Sequence, residues 1–408
     1  MARDKDPQLW CALIALAFGG LCAVRLAIPS APYFDETHYL KAARALLLLE
    51  PANREHPMFA KELIAASVAV LGDGPLAWRL PSLLAGTAGL YAFSRLVWHL
   101  TRERFATLAA AILLATSFLW FVQSRIAMLD MVAAGLAMVS LWQISAAFDG
   151  QRKRALLHLA ASGIAMGLAM GSKWSVLPLA VMPALGFFVW RTRLQKVSLV
   201  QAALLLGLLP LFTYWLTFLP AMFYAQDPVQ PLGWVETHRR ILALQESVRG
   251  HHPYASHWYD WIVNHRPIWY LFEPIDDAQR GIVMLGNPLT MLAGLPALLW
   301  CGWQALRHKR KDAGAFALLF AASLLPWLLP TKPVQFYYYY LLPGAFLMAC
   351  LALWLGSLWQ RGGWTRAVPP ILLTASAALF AWFYPILSAA PLASEMAFMR
   401  WMWLASWI

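Results

Sequence analysis

Stretches of predominantly apolar residues recur along the chain, and roughly eleven of them reach the 17 to 25 residues that a helix needs to cross a bilayer. Their centres fall near Ala17, Gly89, Leu113, Leu136, Ala165, Leu185, Leu209, Leu295, Ala322, Met348 and Leu379. Basic connections, ARDK at the start, TRER at 101, QRKR at 151, RTRLQK at 191, RHKRK at 307 and QRGGWTR at 360, occupy alternate turns. Basic loops stay in the cytoplasm, so this alternation predicts a cytoplasmic N-terminus and an extracytoplasmic C-terminus in a multi-pass plasma (inner) membrane protein. The first run, Leu9 to Ile28, is of spanning length and leads into charged sequence with no A-x-A-like site, so a retained helix is expected rather than a signal peptide.

The opposite face carries the polar material: a segment from Pro32 to Pro75, short turns at QSR 123, GSKW 171 and TKPVQ 331, and a loop from about Tyr224 to Gly281. THYLKAARALLLLE and PMFAKELIAASVAVLG have apolar residues at helical spacing but are too short to span, so they predict two amphipathic helices on the membrane surface, the second with a proline in its first turn. GWVETHRRILALQESVRG predicts another amphipathic helix, and the Trp- and Tyr-rich HHPYASHWYDWIVNHRPIWYLFE suits the water–lipid boundary. The expected fold is an all-α polytopic membrane protein. Three parts are expected: transmembrane helices in 1–223 with the outer loop 29–75, an extracytoplasmic loop 224–281, and C-terminal helices in 282–408.

Composition removes the alternatives to a membrane protein. Among 408 residues 61% are hydrophobic and 13% charged, with 22 Trp and 21 Phe, too little polar surface to cover a soluble globule. The net charge of +12 lies in clusters between apolar runs, where orientation explains it without a nucleic-acid partner. Cys11, Cys22, Cys301 and Cys350 lie inside apolar runs and read as packing residues.

Against this background the adjacent carboxylates Asp35 and Glu36 stand out. Like charges so close disfavour double ionisation, which suits a general base or acid, while Asp35 or Thr37 could instead cap the helix that follows. His56 and Lys61 could face a ligand at the same surface, or Lys61 could snorkel to headgroups. Arg25, Arg79, Arg125, Lys173, Arg266 and Lys332 all fall on the poorly basic face, where a phosphate-bearing ligand would give positive charge a purpose. Asp130, five residues after Arg125, predicts a mutual ion pair. One hydroxyl of Tyr337 to Tyr340, such as that of Tyr338, could point to a ligand. His56, His251, His252 and His257 lack the i,i+4 spacing of metal ligands, so no metal is called for.

Taken in order, FDETHY, EHPMFAK, RLPSLLAG, SRIAMLD, GSKW, HPYASHWYDWIVNHRPIWYLFE, MLGNPLTMLAG and FYYYYLLPGAFLMAC resemble the motifs of the protein O-mannosyltransferases, over nearly the whole chain. The resemblance implies a GT-C fold and transfer of a sugar, mannose by analogy, from a polyprenyl-phosphate carrier, with membrane lipids around it. It casts Asp35 as the base that activates the acceptor hydroxyl and Glu36 as its positioning neighbour. It also makes Arg25 and Arg79 candidates for required residues; together with them His56, Lys61, Arg125, Asp130, Lys173, His257, Arg266, Lys332 and Tyr338 are the expected substrate-binding residues, and Arg125, Lys173 or Arg266 could stabilise the departing phosphate. Two departures stand out: no counterpart of the eukaryotic lumenal β-trefoil is found, and HPM replaces the usual HPP. They imply a bacterial-type member and leave the acceptor open between an exported protein and a glycolipid or polysaccharide, as in the related aminoarabinose transferases. A lipid-phosphate transporter would share the charges but calls for broken helices with charge near the midplane.

Overall fold

The computed structural model describes residues 4–230, 232–247, 252–329 and 334–408. The chain opens with α1 (Gln8–Ala23), α2 (Glu36–Leu47), α3 (Phe59–Leu71), α4 (Pro75–Thr101), α5 (Arg104–Ala115), α6 (Phe118–Gln123), α7 (Leu129–Ala147) and α8 (Arg152–Ser172). Further apolar helices run over Trp174–Val189, Leu199–Phe223, Pro288–His308, Lys311–Leu328, Tyr337–Arg361 and Gly363–Leu387. Every expected span centre lies inside a helix. Among the described residues, seven helices are long and apolar enough to cross a membrane, and α1, α5 and Trp174–Val189 are shorter apolar ones. α4 is long at 27 residues but carries Arg79 and Arg95.

Both short helices of the first polar segment form, as α2 and α3. α3 starts at Phe59, so Pro57 lies just before it rather than in its first turn. The amphipathic helix of the later loop covers Trp234–Ser247. The aromatic stretch after it differs from the all-helical expectation. Ile268–Ile275 (β1) and Ala278–Met284 (β2) pair as an antiparallel hairpin with Phe272 opposite Gly281. Asp276 and Asp277 between them have φ of 50° and 57°, the two positive values of a type I′ turn, which matches the twist of the strands. The hairpin packs on the end of Gly363–Leu387: Arg280 donates to the carbonyl of Ala389 at 2.8 Å, and Gln279 bridges to Leu392.

Asn264 joins this region to the last helices. Its side chain exchanges bonds with the Gly286 backbone at 2.8 and 2.9 Å, and the Tyr337 hydroxyl donates to its Oδ1 at 2.5 Å. Trp407 Nε1 donates to its carbonyl at 2.8 Å, tucking the C-terminal residues underneath.

Without water inside the bilayer, helices associate by close packing, and small residues let backbones approach. α4 and α7 cross in this way. A Cβ on Gly135 would lie 2.4 Å from the carbonyl oxygen of Ala85, and one on Gly89 would lie 2.9 Å from Gly135 Cα. Gly135→Val therefore forces the helices apart and should lower stability by about 1–3 kcal/mol. Gly207→Val, at a position with nothing within 4 Å, should leave the thermal unfolding midpoint in detergent nearly unchanged.

Candidate active site

Asp35 and Glu36 are neighbours in sequence with opposite environments. Glu36 has no solvent exposure, and both of its oxygens are engaged. Oε1 accepts from Arg79 Nε and from the Ala127 amide, each at 2.8 Å; Oε2 accepts from Arg79 Nη2 at 2.9 Å and the Tyr33 amide at 3.3 Å. Arg79, equally buried, donates its remaining N–H groups to the carbonyls of Leu26, Pro29 and Ala31 at 2.9, 2.7 and 3.3 Å, so all five of its donors are in use. The Tyr33 ring lies 5.0 Å from its guanidinium carbon, and burial beside Glu36 holds the Tyr33 hydroxyl above its ordinary pKa. Glu36 and Arg79 thus hold the loop before α2, the start of α4 and the segment before α7 together. Both act as positioning residues within the fold, with the polar atoms of each already engaged by the protein itself.

Asp35 is less deeply buried. It is half-buried at the N-cap position of α2, where its side chain makes no capping bond; Thr37 Oγ1 instead donates to the Phe34 carbonyl at 2.9 Å. Phe34 adopts φ of 49°, a left-handed conformation that is costly for a bulky residue and persists where surroundings enforce it. Its ring stacks on Tyr270 of β1 at 4.3 Å and meets Tyr338 edge-on at 6.2 Å.

Around Asp35 the fold gathers groups distant in sequence. Both Asp35 and Asp130 lie within electrostatic reach of Tyr39, Tyr270, Tyr338 and Tyr339. Asp130 opens α7 and accepts from Lys173 Nζ at 2.6 Å, so its ion pair is with Lys173 and not with Arg125. Lys173 Nζ also sits 5.1 Å from the Tyr338 ring centroid and 5.7 Å from that of Tyr339. Burial, reinforced by the two aspartates, pushes the Tyr39 and Tyr270 hydroxyls well above their ordinary pKa, so both remain protonated. A cleft of about 770 Å³ opens beside this cluster, lined by His56, Lys173, Trp174, Ser175, Leu242, Gln245, Glu246, Pro326, Trp327 and Tyr339. The arrangement presents a carboxylate, a buried ammonium and aromatic hydroxyls to one end of a helical bundle, the means to deprotonate a hydroxyl and to meet an anionic group.

The other expected cations are held elsewhere. Arg125, 5% exposed, is wrapped by carbonyls: Nη1 bonds those of Cys22 and Val24, and Nη2 those of Arg25 at 3.2 Å and Ser388 at 3.4 Å. It closes the end of α1. Arg25 Nη2 donates to Ser388 Oγ at 2.8 Å beside Tyr384. Lys61, also buried, donates to the carbonyls of Asn53 and His56 at 2.7 and 2.8 Å, fixing the loop that carries His56. His257 is exposed beside Asp260 at a helix start, and Arg266 donates to the Pro253 carbonyl at 2.8 Å. Lys332 lies outside the described residues. Among those described, no three His, Cys, Asp or Glu converge as a metal site. Tyr339 belongs to the expected group Tyr337 to Tyr340, whereas Tyr39 and Tyr270 are additions that the tertiary structure makes. Tyr39 follows Asp35 by four residues, a spacing that puts both on one helix face, whereas Tyr270 reaches the site only through the unexpected hairpin.

Comparison with known proteins follows the same lines. Residues 55–216 match the family model described as dolichyl-phosphate-mannose-protein mannosyltransferase, and residues 232–407 match the C-terminal four TMM region of protein-O-mannosyltransferase. The chain is 24% identical over 454 residues to a polyprenol-phosphate-mannose–protein mannosyltransferase of Mycolicibacterium smegmatis, covering 92% of this chain and 87% of the relative. It is 30% identical over 218 residues to an undecaprenyl phosphate-alpha-4-amino-4-deoxy-L-arabinose arabinosyl transferase of Pseudomonas aeruginosa, covering 49% and 39%. Its fold is similar to that in the S. cerevisiae protein O-mannosyltransferase Pmt1-Pmt2 complex bound to the sugar donor, with a TM-score of 0.83 at 14% identity over 100% of this chain and 93% of that one. The architecture is GT-C.

Two outcomes are expected. Removing one partner of a buried pair leaves the other uncompensated, so Arg79→Met should cost about 3–5 kcal/mol, and the double variant with Glu36→Leu should recover part of it in thermal unfolding. Burial brings Lys61 down to about 7 and Glu62 up to about 7. Between pH 7 and 10 the unfolded chain keeps a proton on Lys61 that the folded chain has lost, so stability rises with pH in that window; between pH 4.5 and 7 Glu62 makes it fall. Lys61→Met should flatten the upper limb and, by removing the ammonium that lowers the Glu62 pKa, carry the falling limb to higher pH.

Proposed function

We propose, from the premise that this chain belongs to the dolichyl-phosphate-mannose-protein mannosyltransferase family, that it moves mannose from a polyprenyl-phosphate carrier to a serine or threonine hydroxyl of an exported protein. The curated relative named above is by name a polyprenol-phosphate-mannose–protein mannosyltransferase, which supports both donor and acceptor class. The observation that carries the reading is the contrast between the two acidic neighbours: Glu36 is locked against Arg79, while Asp35 is half-buried within electrostatic reach of the same tyrosines as Asp130, the partner of Lys173. In this reading the site lies at the outer face of the membrane, with the carrier tail between helices.

Asp35 accepts the acceptor hydroxyl proton as the oxygen attacks the anomeric carbon, and the bond to the carrier phosphate breaks on the opposite side, which inverts that centre. The departing phosphate gains negative charge in a low-dielectric setting, where Lys173 and protonated tyrosine hydroxyls stabilise it most. A phosphate leaving group needs no proton, so one carboxylate suffices where hydrolysis of an unactivated glycoside requires two. Asp130 keeps Lys173 charged and oriented.

A positioned general base contributes about 100- to 10,000-fold. Asp35→Asn, assayed as purified enzyme with defined polyprenyl-phosphate mannose and a peptide acceptor, should lose nearly all turnover while donor affinity stays within a few-fold. Retention of more than about a tenth of the rate removes Asp35 from this role. Mass spectrometry of exported proteins and envelope lipids with and without the gene should show hexose lost from proteins; loss confined to lipids would instead favour the acceptor class of the aminoarabinose relatives.

A further inference from the structure

A second cleft lies at the far end of the helices that build the site. This open groove of about 1030 Å³ lies between the C-terminal ends of α4 and α7, the second half of Trp174–Val189 and the first half of Lys311–Leu328, with Ala305 of Pro288–His308 at its edge. Three of these helices have their other ends at the site: α7 through Asp130, Trp174–Val189 through Trp174, and Lys311–Leu328 through Trp327. At about 1.5 Å rise per residue the two places are roughly 20 Å apart along each helix. The cleft takes no part in the proposed transfer.

Its walls are apolar, built from residues such as Ile144, Phe148, Leu185 and Leu318, and its mouth holds the consecutive cations Lys309, Arg310 and Lys311. Arg310 is neutralised by Asp312 at 2.5 Å and Glu103 at 3.7 Å. Among the described residues no carboxylate lies within 4.0 Å of Lys309 or Lys311, and Lys311 Nζ reaches across the mouth to the Val189 carbonyl at 2.9 Å. Two uncompensated ammonium groups at the rim of an oily slot fit an anionic headgroup above acyl chains. The tail of a carrier reaching down from the site would leave both lysines without an anion.

We propose that this cleft binds an anionic glycerophospholipid, which seals the seam between these helices on the face away from the site. The complementarity has two parts, apolar volume for chains and paired lysines for phosphate. Removing either therefore weakens binding by a distinct route.

The test uses the full chain in detergent with added phosphatidylglycerol or phosphatidylcholine, reading thermal unfolding and, by native mass spectrometry, retained lipid. Phosphatidylglycerol should raise the unfolding midpoint and be retained, while phosphatidylcholine does neither. The Lys309→Gln/Lys311→Gln double variant should lose about tenfold in apparent affinity for phosphatidylglycerol. Gly186→Leu, whose Cβ would meet only Ile144 at 3.7 Å and Phe148 at 3.8 Å, fills the slot and should lower retention with the lysines intact. Equal retention of the two lipids by the unmodified chain, or unchanged selectivity in the double variant, overturns the proposal. So does recovery of a polyprenyl phosphate, rather than a glycerophospholipid, as the species that Gly186→Leu displaces.

Discussion

The buried pair of Glu36 and Arg79 is the constraint on which the polar end of the molecule depends. Taking two charges out of water costs several kcal/mol per ion, and mutual attraction offsets this only when the remaining lone pairs and protons are satisfied. Here they are. The guanidinium has five acceptors and the carboxylate four donors, drawn from the loop after α1, the start of α4 and the residues before α7. The pair works as a rivet whose geometry is over-determined, which is why the chain can afford Phe34 in a left-handed conformation next to it.

From that fixed point the reactive groups follow. α2 begins at Glu36, so locking Glu36 also sets where Asp35 and, one turn on, Tyr39 stand. Fixing the Ala127 amide sets the start of α7 and hence Asp130, which in turn holds Lys173 at the end of α8. Arg125 does the same for α1 through its carbonyl contacts. Ionisable groups in and beside lipid persist when paired or functional, and in this chain most of them are brackets that aim a few.

The division between brackets and aimed groups was not legible in the motifs. FDETHY, RLPS and SRIAMLD each contain an ionisable residue at a helix end, and sequence spacing assigns Asp35, Arg79 and Arg125 the same standing. Burial separates them, and burial is a property of what packs around a residue. Asp130 lies five residues from Arg125 in sequence, yet its partner is 43 residues away, because α7 and α8 run antiparallel and bring the start of one to the end of the other. The β-hairpin escaped notice because IWYLFEPI is a nearly continuous apolar run without two-residue alternation, and its turn is Asp-Asp rather than the commoner Asn-Gly or Asp-Gly.

What the sequence determined by itself was the solvent of the chain and the helices suited to it. Apolar runs of spanning length fix where helices form, since backbone groups in lipid must bond within their own segment, and motif order pointed to the family. Tertiary structure decided which charges are sealed and which open to a cleft, how a hairpin brings Tyr270 within reach of Asp35, and that Lys173, paired with Asp130, lines the cleft. Those outcomes depend on contacts between segments far apart in the chain, where the desolvation of each charge is set by its neighbours in space and not by those in sequence.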